Sequence, residues 1–370
     1  MSIIKMKELE LENDISDEEG SCSDEDLCDT NEISREFSNS KLLFEENFGK
    51  NKYLMQLSST NDNNPNIGVG LSDNSFHVFN LNSQLAKNCT LGGITGSIVD
   101  CQFSQDNNNL IYTCSNDGNI KLFDIRTPKA AVKNFVDSTC AEGNNKTFNC
   151  FDISPNGKLL SAGCDLFEGD AFLLFWDVRS KNLLGGYWES HTDDITQVKF
   201  HQNDSNKLIS GSTDGLINIY DLSQTNEDDA LIDSMNTESS IEKLTWYSEN
   251  KDDYIGCCTH TADVQIWKLD DAEPSHHIKR SQIAQDIKRK SENYVYTVNT
   301  HQTEKSLLIL TGSNAHDGEC LRALQFCKNK VGPAFCFIDN TQRVKSSSYV
   351  KNAKVLLTGG EKGVLSAWKC

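Results

Sequence analysis

The sequence predicts an all-β ring, a seven-bladed β-propeller preceded by an acidic tail that is expected to be disordered. Three observations predict it. First, His191 to Leu222 reads as one complete unit of short strands, and weaker copies recur at a spacing of roughly 45 residues. Second, the apolar residues of each copy alternate with polar ones and are often β-branched, which suits a pleated, half-buried strand and not a helix. Third, seven copies fit within the 370 residues, yet the chain stops two residues after Trp368 with no fourth strand for the last copy. A ring built this way must be closed by a strand from elsewhere, because an open edge invites aggregation.

The 191–222 unit carries the most detail. Ile195, Val198 and Phe200 form a first strand, Lys207–Gly211 a second, Ser212–Gly215 a tight turn and Leu216–Tyr220 a third. This unit resembles a WD repeat. In that family a His, a Ser, a turn Asp and a terminal Trp form a hydrogen-bonded chain. The matching positions here are His191, Ser210, Asp214 and Tyr220, with Asp221 following. Tyr stands where Trp is usual, and its hydroxyl is expected to donate to Ser210. The role implied by the resemblance is structural, since buried polar groups that satisfy one another lock blade geometry. His191 and Asp214 therefore read as scaffold and not as catalysts.

Taken in order, residues 1–39 form the acidic tail. Residues 1–37 hold 13 acidic and 3 basic side chains, a net −10, and too few apolar groups to fold alone. Ile3, Ile4, Leu9, Leu11 and Ile15 could still dock as a helix on a partner. Ser16, Ser21 and Ser23 each have an acid three residues on (Glu19, Asp24, Asp26), which suits an acid-directed, casein-kinase-type enzyme. The plainer reading is a solvating tail. The propeller is expected over 40–370, with Ser40–Glu45 closing the ring as the outer strand of the last blade.

Units one to five each offer three strands: Tyr53–Leu57, Ile67–Leu71 and Ser75–Asn80; Ile98–Phe103, Asn109–Cys114 and Asn119–Arg126; Phe148–Ile153, Lys158–Ala162 and, after a loop inserted near Asp165–Asp170, Ala171–Arg179; the 191–222 unit; and Ile241–Trp246, Tyr254–Cys258 and Ala262–Leu269. The interval from Asp270 to about Asn293 is polar and locally basic and reads as an exposed loop. Its two basic clusters resemble a bipartite nuclear-import signal with a short gap. The sixth unit covers Tyr294–Phe326, and the seventh opens on Gly332–Ile338 and ends on Val364–Lys369.

Composition narrows the function classes. Net charge is −19, so direct nucleic-acid binding is disfavoured and proteins are the expected partners. No run of about twenty apolar residues is present, and the first twenty residues lack a secretory signal's apolar core. An intracellular protein, cytoplasmic or nuclear and monomeric by itself, is expected. The 14 cysteines are scattered, mostly inside strand-like runs, and none shows Cys-x-x-Cys spacing. They read as reduced, buried thiols, with no structural zinc.

Beyond the repeat, the run His191–Ile232 with its Asn-Glu-Asp-Asp-Ala-Leu at 226–231, the Asn293–Gly312 interval and the LLTGGEKGVLSAWK ending at 356–369 resemble the WD repeat-containing protein 89 family. That family is named for repeats and not for an activity. Neither a Gly-x-Ser-x-Gly elbow nor a Walker-type loop is present, and Gly92–Gly96 reads as a linker. His276-His277 lacks partners at metal spacing. No enzyme, cofactor or metal is expected.

The remaining features point to partners. Phe123-Asp124-Ile125-Arg126 and Trp176-Asp177-Val178-Arg179 end two successive units. Such tandem boxes resemble those of propellers that dock on the adaptor of a cullin-type ubiquitin ligase, with Arg126 and Arg179 meeting acidic groups. The bland reading pairs each Arg with an acid of a neighbouring blade. Trp188, Trp246 and Tyr247 near unit junctions read as core more than as exposed anchors. An interaction scaffold is the overall expectation. Alternatives are a ligase substrate receptor or an assembly factor for basic clients such as ribosomal proteins or histones.

Overall fold

The computed structural model describes residues 24–82, 84–139, 145–249, 252–269, 271–304 and 306–370. Seven sheets, antiparallel but for one added edge strand, are arranged as the blades of one propeller, six with four strands and one with five. Within a blade the strands follow in sequence from the inner strand outward. The turns between second and third strands, and the links entering each inner strand, therefore share one end of the ring, here called the top.

Blade 4 shows why the local sequence folds so. Ile195–Phe200, Lys207–Ser212 and Leu216–Asp221 pair in order, and Leu231–Asn236 forms the outer strand. The Ser212–Gly215 turn closes with a Gly215 N–H to Ser212 carbonyl bond, and Gly215 takes φ of 86°, a left-handed value that favours glycine. Buried apolar residues of adjacent blades mesh into seven clusters, one for each blade-to-blade interface. Blades 3 and 4, for example, share Leu173, Phe175, Tyr187, Val198, Leu208 and Tyr220. Close approach at these seams requires small residues: a Cβ on Gly359 of blade 7 would strike Leu54 of blade 1.

The last blade is completed from the start of the ring. Lys41–Asn47 pairs antiparallel with Val364–Lys369, from Lys41 opposite Lys369 to Asn47 opposite Val364. Ser40 ties the seam by donating its hydroxyl to the Lys369 carbonyl at 3.0 Å.

Four expectations change. The seventh inner strand is Val344–Val350, whereas Lys330–Cys336 is the outer strand of blade 6. Inner strands face a polar channel, so the Ser346–Ser348 run carries no apolar signature, while the apolar stretch before it covers a blade edge. The Asp165–Asp170 loop is an extended hairpin: strands Leu159–Phe167 and Asp170–Asp177 pair out to Phe167 opposite Asp170. The 270–293 interval is not a bare loop, for it supplies the outer strand His276–Ile278 and a helix, Arg280–Asp286.

The fourth change concerns the tail. Residues 24–39, placed there by their acidity, dock on the ring. A helix, Thr30–Glu36, is N-capped by Asp29, and Ser38–Asn39 adds a parallel fifth strand to blade 6. Ile33 and Phe37 are buried in the cluster between blades 5 and 6, beside Ile283 and Ile287. The expectations for residues 1–23, including Ser16, Ser21, Ser23 and the apolar helix from Ile3 to Ile15, lie outside the described residues.

Candidate interaction surfaces

The hydrogen-bonded chain of blade 4 is assembled from its second and third strands and the link before its first. His191 Nδ1 lies 3.0 Å from Asp214 Oδ2, and Nε2 lies 2.6 Å from Ser210 Oγ. A carboxylate only accepts, so Nδ1 carries a proton. Burial alone would raise the Asp214 pKa, but hydrogen bonding and charge from His191 bring it below the usual carboxylate value. Tyr220 is fully buried and closes the chain with one difference from expectation. Its hydroxyl accepts from Ser210 at 3.3 Å and sits 2.8 Å from Ser190 Oγ, which serves as its second partner. Buried and internally satisfied, the group is placed to hold the blade and leaves no open position for a substrate.

Both Asp-x-Arg boxes end third strands and therefore lie at the bottom of blades 2 and 3. Arg126 folds onto Asp124 with Nε at 2.9 Å and Nη2 at 2.6 Å. The Arg126 side chain, then its backbone N–H, bring the Asp124 pKa down to about 2. Arg179 makes the same pairing more loosely, 3.3 Å from Nε to Asp177 Oδ1. Each Arg thus pairs within its own box and not with a neighbouring blade. The side chains remain 64% and 73% exposed. Lys133, on the outer strand of blade 2, donates to the carbonyls of Val178 at 2.8 Å and Arg179 at 3.1 Å, tying blade 2 to the box of blade 3.

A third site was not read from the sequence as a site at all. Asp24 is fully buried at the top of blade 6, where Arg289 Nε and Nη2 approach its Oδ2 to 3.0 and 2.8 Å. Ser313 donates its hydroxyl to the same oxygen, and the Ser291 N–H reaches Oδ1 at 3.1 Å. Asp26 bridges Arg289 and Arg322, at 3.1 and 2.8 Å from their Nη1 atoms. Glu25 pairs with Lys290 at 2.6 Å and Glu36 with Lys288 at 2.9 Å. Desolvation opposes the Asp24 charge, yet the hydrogen bonds from Ser313 and Arg289 outweigh it and lower its pKa. The signal that could have found this site was complementarity between the acids of 24–36 and the basic run Lys288–Lys290.

The other candidates separate cleanly. Trp246 and Tyr247 are buried, but Trp188 is 47% exposed, which corrects its assignment to the core. Its backbone is fixed by Glu227, whose carboxylate accepts N–H bonds from Trp188, Glu189 and Ser190 at 2.8, 3.0 and 2.8 Å. A central channel of about 390 Å³ is lined by inner-strand residues that include Asp100, Asp152, Lys199 and Lys243. His277 bonds Asp263 at 2.9 Å and His276 packs on Phe326, so the pair faces apart. Among the described residues no group of three or more His, Cys, Asp or Glu side chains could hold a metal, and the cysteines are free thiols. No helix among them is long and apolar enough to cross a membrane.

Comparison with known proteins follows the same lines. Residues 134–312 match the family "Nucleolar protein 10-like, N-terminal domain", and residues 86–124 match "WD domain, G-beta repeat". The chain is 29% identical over 218 residues to the WD repeat-containing protein 89 homolog of Dictyostelium discoideum, covering 59% of this chain and 55% of that protein. It is 28% identical over 269 residues to the WD repeat-containing protein GTS1 of Arabidopsis thaliana, covering 70% of this chain and 64% of that one. An uncharacterized WD repeat-containing protein of Saccharomyces cerevisiae is 36% identical over 154 residues, 41% of this chain and 36% of that protein. The matched region stays below two thirds of each relative's own length. The chain is a seven-bladed WD-repeat β-propeller that resembles the WD repeat-containing protein 89 family.

Proposed function

We propose that the ring is a non-enzymatic platform for protein partners inside the cell and that the paired boxes at the bottom of blades 2 and 3 form a docking point for an acidic surface. The observation that carries this reading is the pair of exposed guanidinium groups on adjacent blades, each oriented by its own Asp. Arg126 uses Nε and Nη2 on Asp124, and Nη1 stays available for a second carboxylate. The adaptor of a cullin-type ubiquitin ligase is the partner this geometry fits by resemblance, which would make the protein a substrate receptor. Affinity purification of the intact protein beside the Arg126→Ala, Arg179→Ala variant tests it. Ligase subunits recovered with the intact protein and lost with the variant support the reading. Their absence from both removes the adaptor and leaves the platform to be defined by the remaining partners.

A second reading, an assembly factor for basic clients, is favoured by the net charge of −19 and by the match to a family named for a nucleolar protein. Its test is binding of histones or ribosomal proteins before and after deletion of residues 1–23. Deleting through residue 37 would also remove the Asp24 anchor and Phe37, and so confuse tail loss with damage to the ring.

A further inference from the structure

We propose that the top of the channel, where blades 5, 6 and 7 meet, binds a small soluble compound bearing two adjacent phosphoryl groups, free or esterified. A cavity of about 280 Å³ lies there, and its lining sets the cations Arg280, Arg343 and Lys345 against one carboxylate, Glu242. The chain as a whole has a net charge of −19, so this local excess of cations runs against its general character. Lys345 and Val298 line both this cavity and the central channel, so the two spaces adjoin. Lys243, on the inner strand of blade 5, stands at that junction. The channel's carboxylates, Asp100 and Asp152, belong to blades 2 and 3, across the ring. A phosphoryl group at the mouth would meet two guanidinium forks, and a second just below it would meet Lys345 and Lys243.

Arg343 is set in place before any ligand arrives. Gly318 and Gly360 flank its backbone so closely that a Cβ on either would strike it. The Asn340 amide donates to the carbonyls of Gly318 at 2.9 Å and Gln342 at 2.7 Å, and the Glu361 N–H donates to the Arg343 carbonyl at 3.0 Å. The guanidinium lies over the Tyr296 ring, 5.2 Å from its centre. It bonds Glu361 through Nη1 at 3.3 Å, while its buried Nε has no hydrogen-bond partner. Arg280 is oriented by two carbonyls, Nε on Val295 at 2.9 Å and Nη2 on Asn293 at 2.6 Å, which leaves Nη1 for a ligand. Groups fixed in this way lose little freedom on binding. Glu361 is the anion already in residence, 3.3 Å from both Arg343 and Lys345. Partly exposed pairs of that length contribute little, so a multivalent anion displaces Glu361 at small cost. The inference is independent of the paired boxes on blades 2 and 3, which lie at the other end of the ring.

The test is calorimetric titration of the full chain with magnesium-free pyrophosphate, with orthophosphate and ADP as further probes. Saturable binding of pyrophosphate is expected, about tenfold or more tighter than that of orthophosphate. ADP bound as tightly would assign the site to an esterified compound, and pyrophosphate bound alone would assign it to the free ion; both support the shared chemistry. Arg343→Gln should weaken pyrophosphate about tenfold or more. Lys345→Gln, whose side chain is partly exposed, should weaken it by a smaller factor and serves if Arg343→Gln fails to fold. Glu361→Gln should tighten it, and Lys41→Gln, an exposed cation on the outer strand of the same blade, should leave it unchanged. Lack of saturable binding by the intact chain would overturn the proposal, as would folded Arg343→Gln and Lys345→Gln chains that bind as tightly as the parent. So would a Glu361→Gln chain that binds no tighter, or orthophosphate bound as tightly as pyrophosphate.

Discussion

Asp24 and Arg289, 265 positions apart, meet in a buried two-pronged ion pair that fastens the N-terminal segment to the top of blade 6. Removing the Asp24 charge leaves Asp26 as the one carboxylate for both Arg289 and Arg322, so the cost falls toward the lower end of the about 3 to 5 kcal/mol of a broken buried pair. The two-residue ladder of Ser38–Asn39 has little to set against that. Asp24→Asn is therefore expected to release residues 24–37 while the seven blades stay folded. Hydrogen exchange should show lost protection at the Phe37 amide, which donates to Ile33, with the inner strands unchanged.

Acid should release the same segment. The folded-state pKa of Asp24 is depressed, so its contribution is complete above the unfolded carboxylate value of about 3.9 and is lost as pH falls through the lower folded value. Protection at Phe37 should hold from pH 7 to about pH 4 and fall below it. Loss already at pH 6 would mean that another group governs docking.

His301 sets a second, milder dependence. Burial alone brings its pKa down to about 4, and it reaches Ser347 Oγ at 2.8 Å. Below about pH 6.5 the unfolded chain takes up a proton that the folded ring does not accept until about pH 4. Stability is thus full above 6.5 and declines through that window, by at most about 3 kcal/mol because channel water moderates it. His301→Asn should flatten the difference between urea midpoints measured at pH 7 and pH 5.

Glu227 has a larger role than its place after an outer turn would imply. Its carboxylate satisfies three successive backbone N–H groups below the exposed Trp188. Hydrogen bonds to a charged group contribute about 1.5 to 3 kcal/mol, so Glu227→Ala should cost about 2 kcal/mol in denaturant unfolding. Glu227→Gln, which keeps two acceptor-sized atoms but only one acceptor, should fall between. A variant as stable as the parent would show that water replaces the carboxylate without loss.

Tyr220→Phe isolates the one departure from the usual chain in blade 4. It leaves the buried Ser210 and the half-buried Ser190 without their shared hydroxyl partner, at a cost of about 1 to 2 kcal/mol. His191→Ala should cost more, because Asp214, Ser210 and Asn218 all bond the ring nitrogens.

The sequence by itself determined the repeats: most of the first three strands of each blade and the turns that join them. These features are local or periodic, because a strand's alternation and a turn's glycine answer to their neighbours. Only the tertiary structure decided what long-range contacts decide. An acidic stretch reads as solvated until a basic run some 265 residues away is folded against it, as Asp24 and Arg289 show. Gly332–Ile338 reads as the first strand of the last unit until Val344–Val350 is seen in that place, with Ser346 and Ser347 lining a channel and not a core. Trp188 reads as core until Glu227 fixes its backbone at the surface. In each case burial and charge pairing are properties of the assembled ring, and no window of sequence contains both partners.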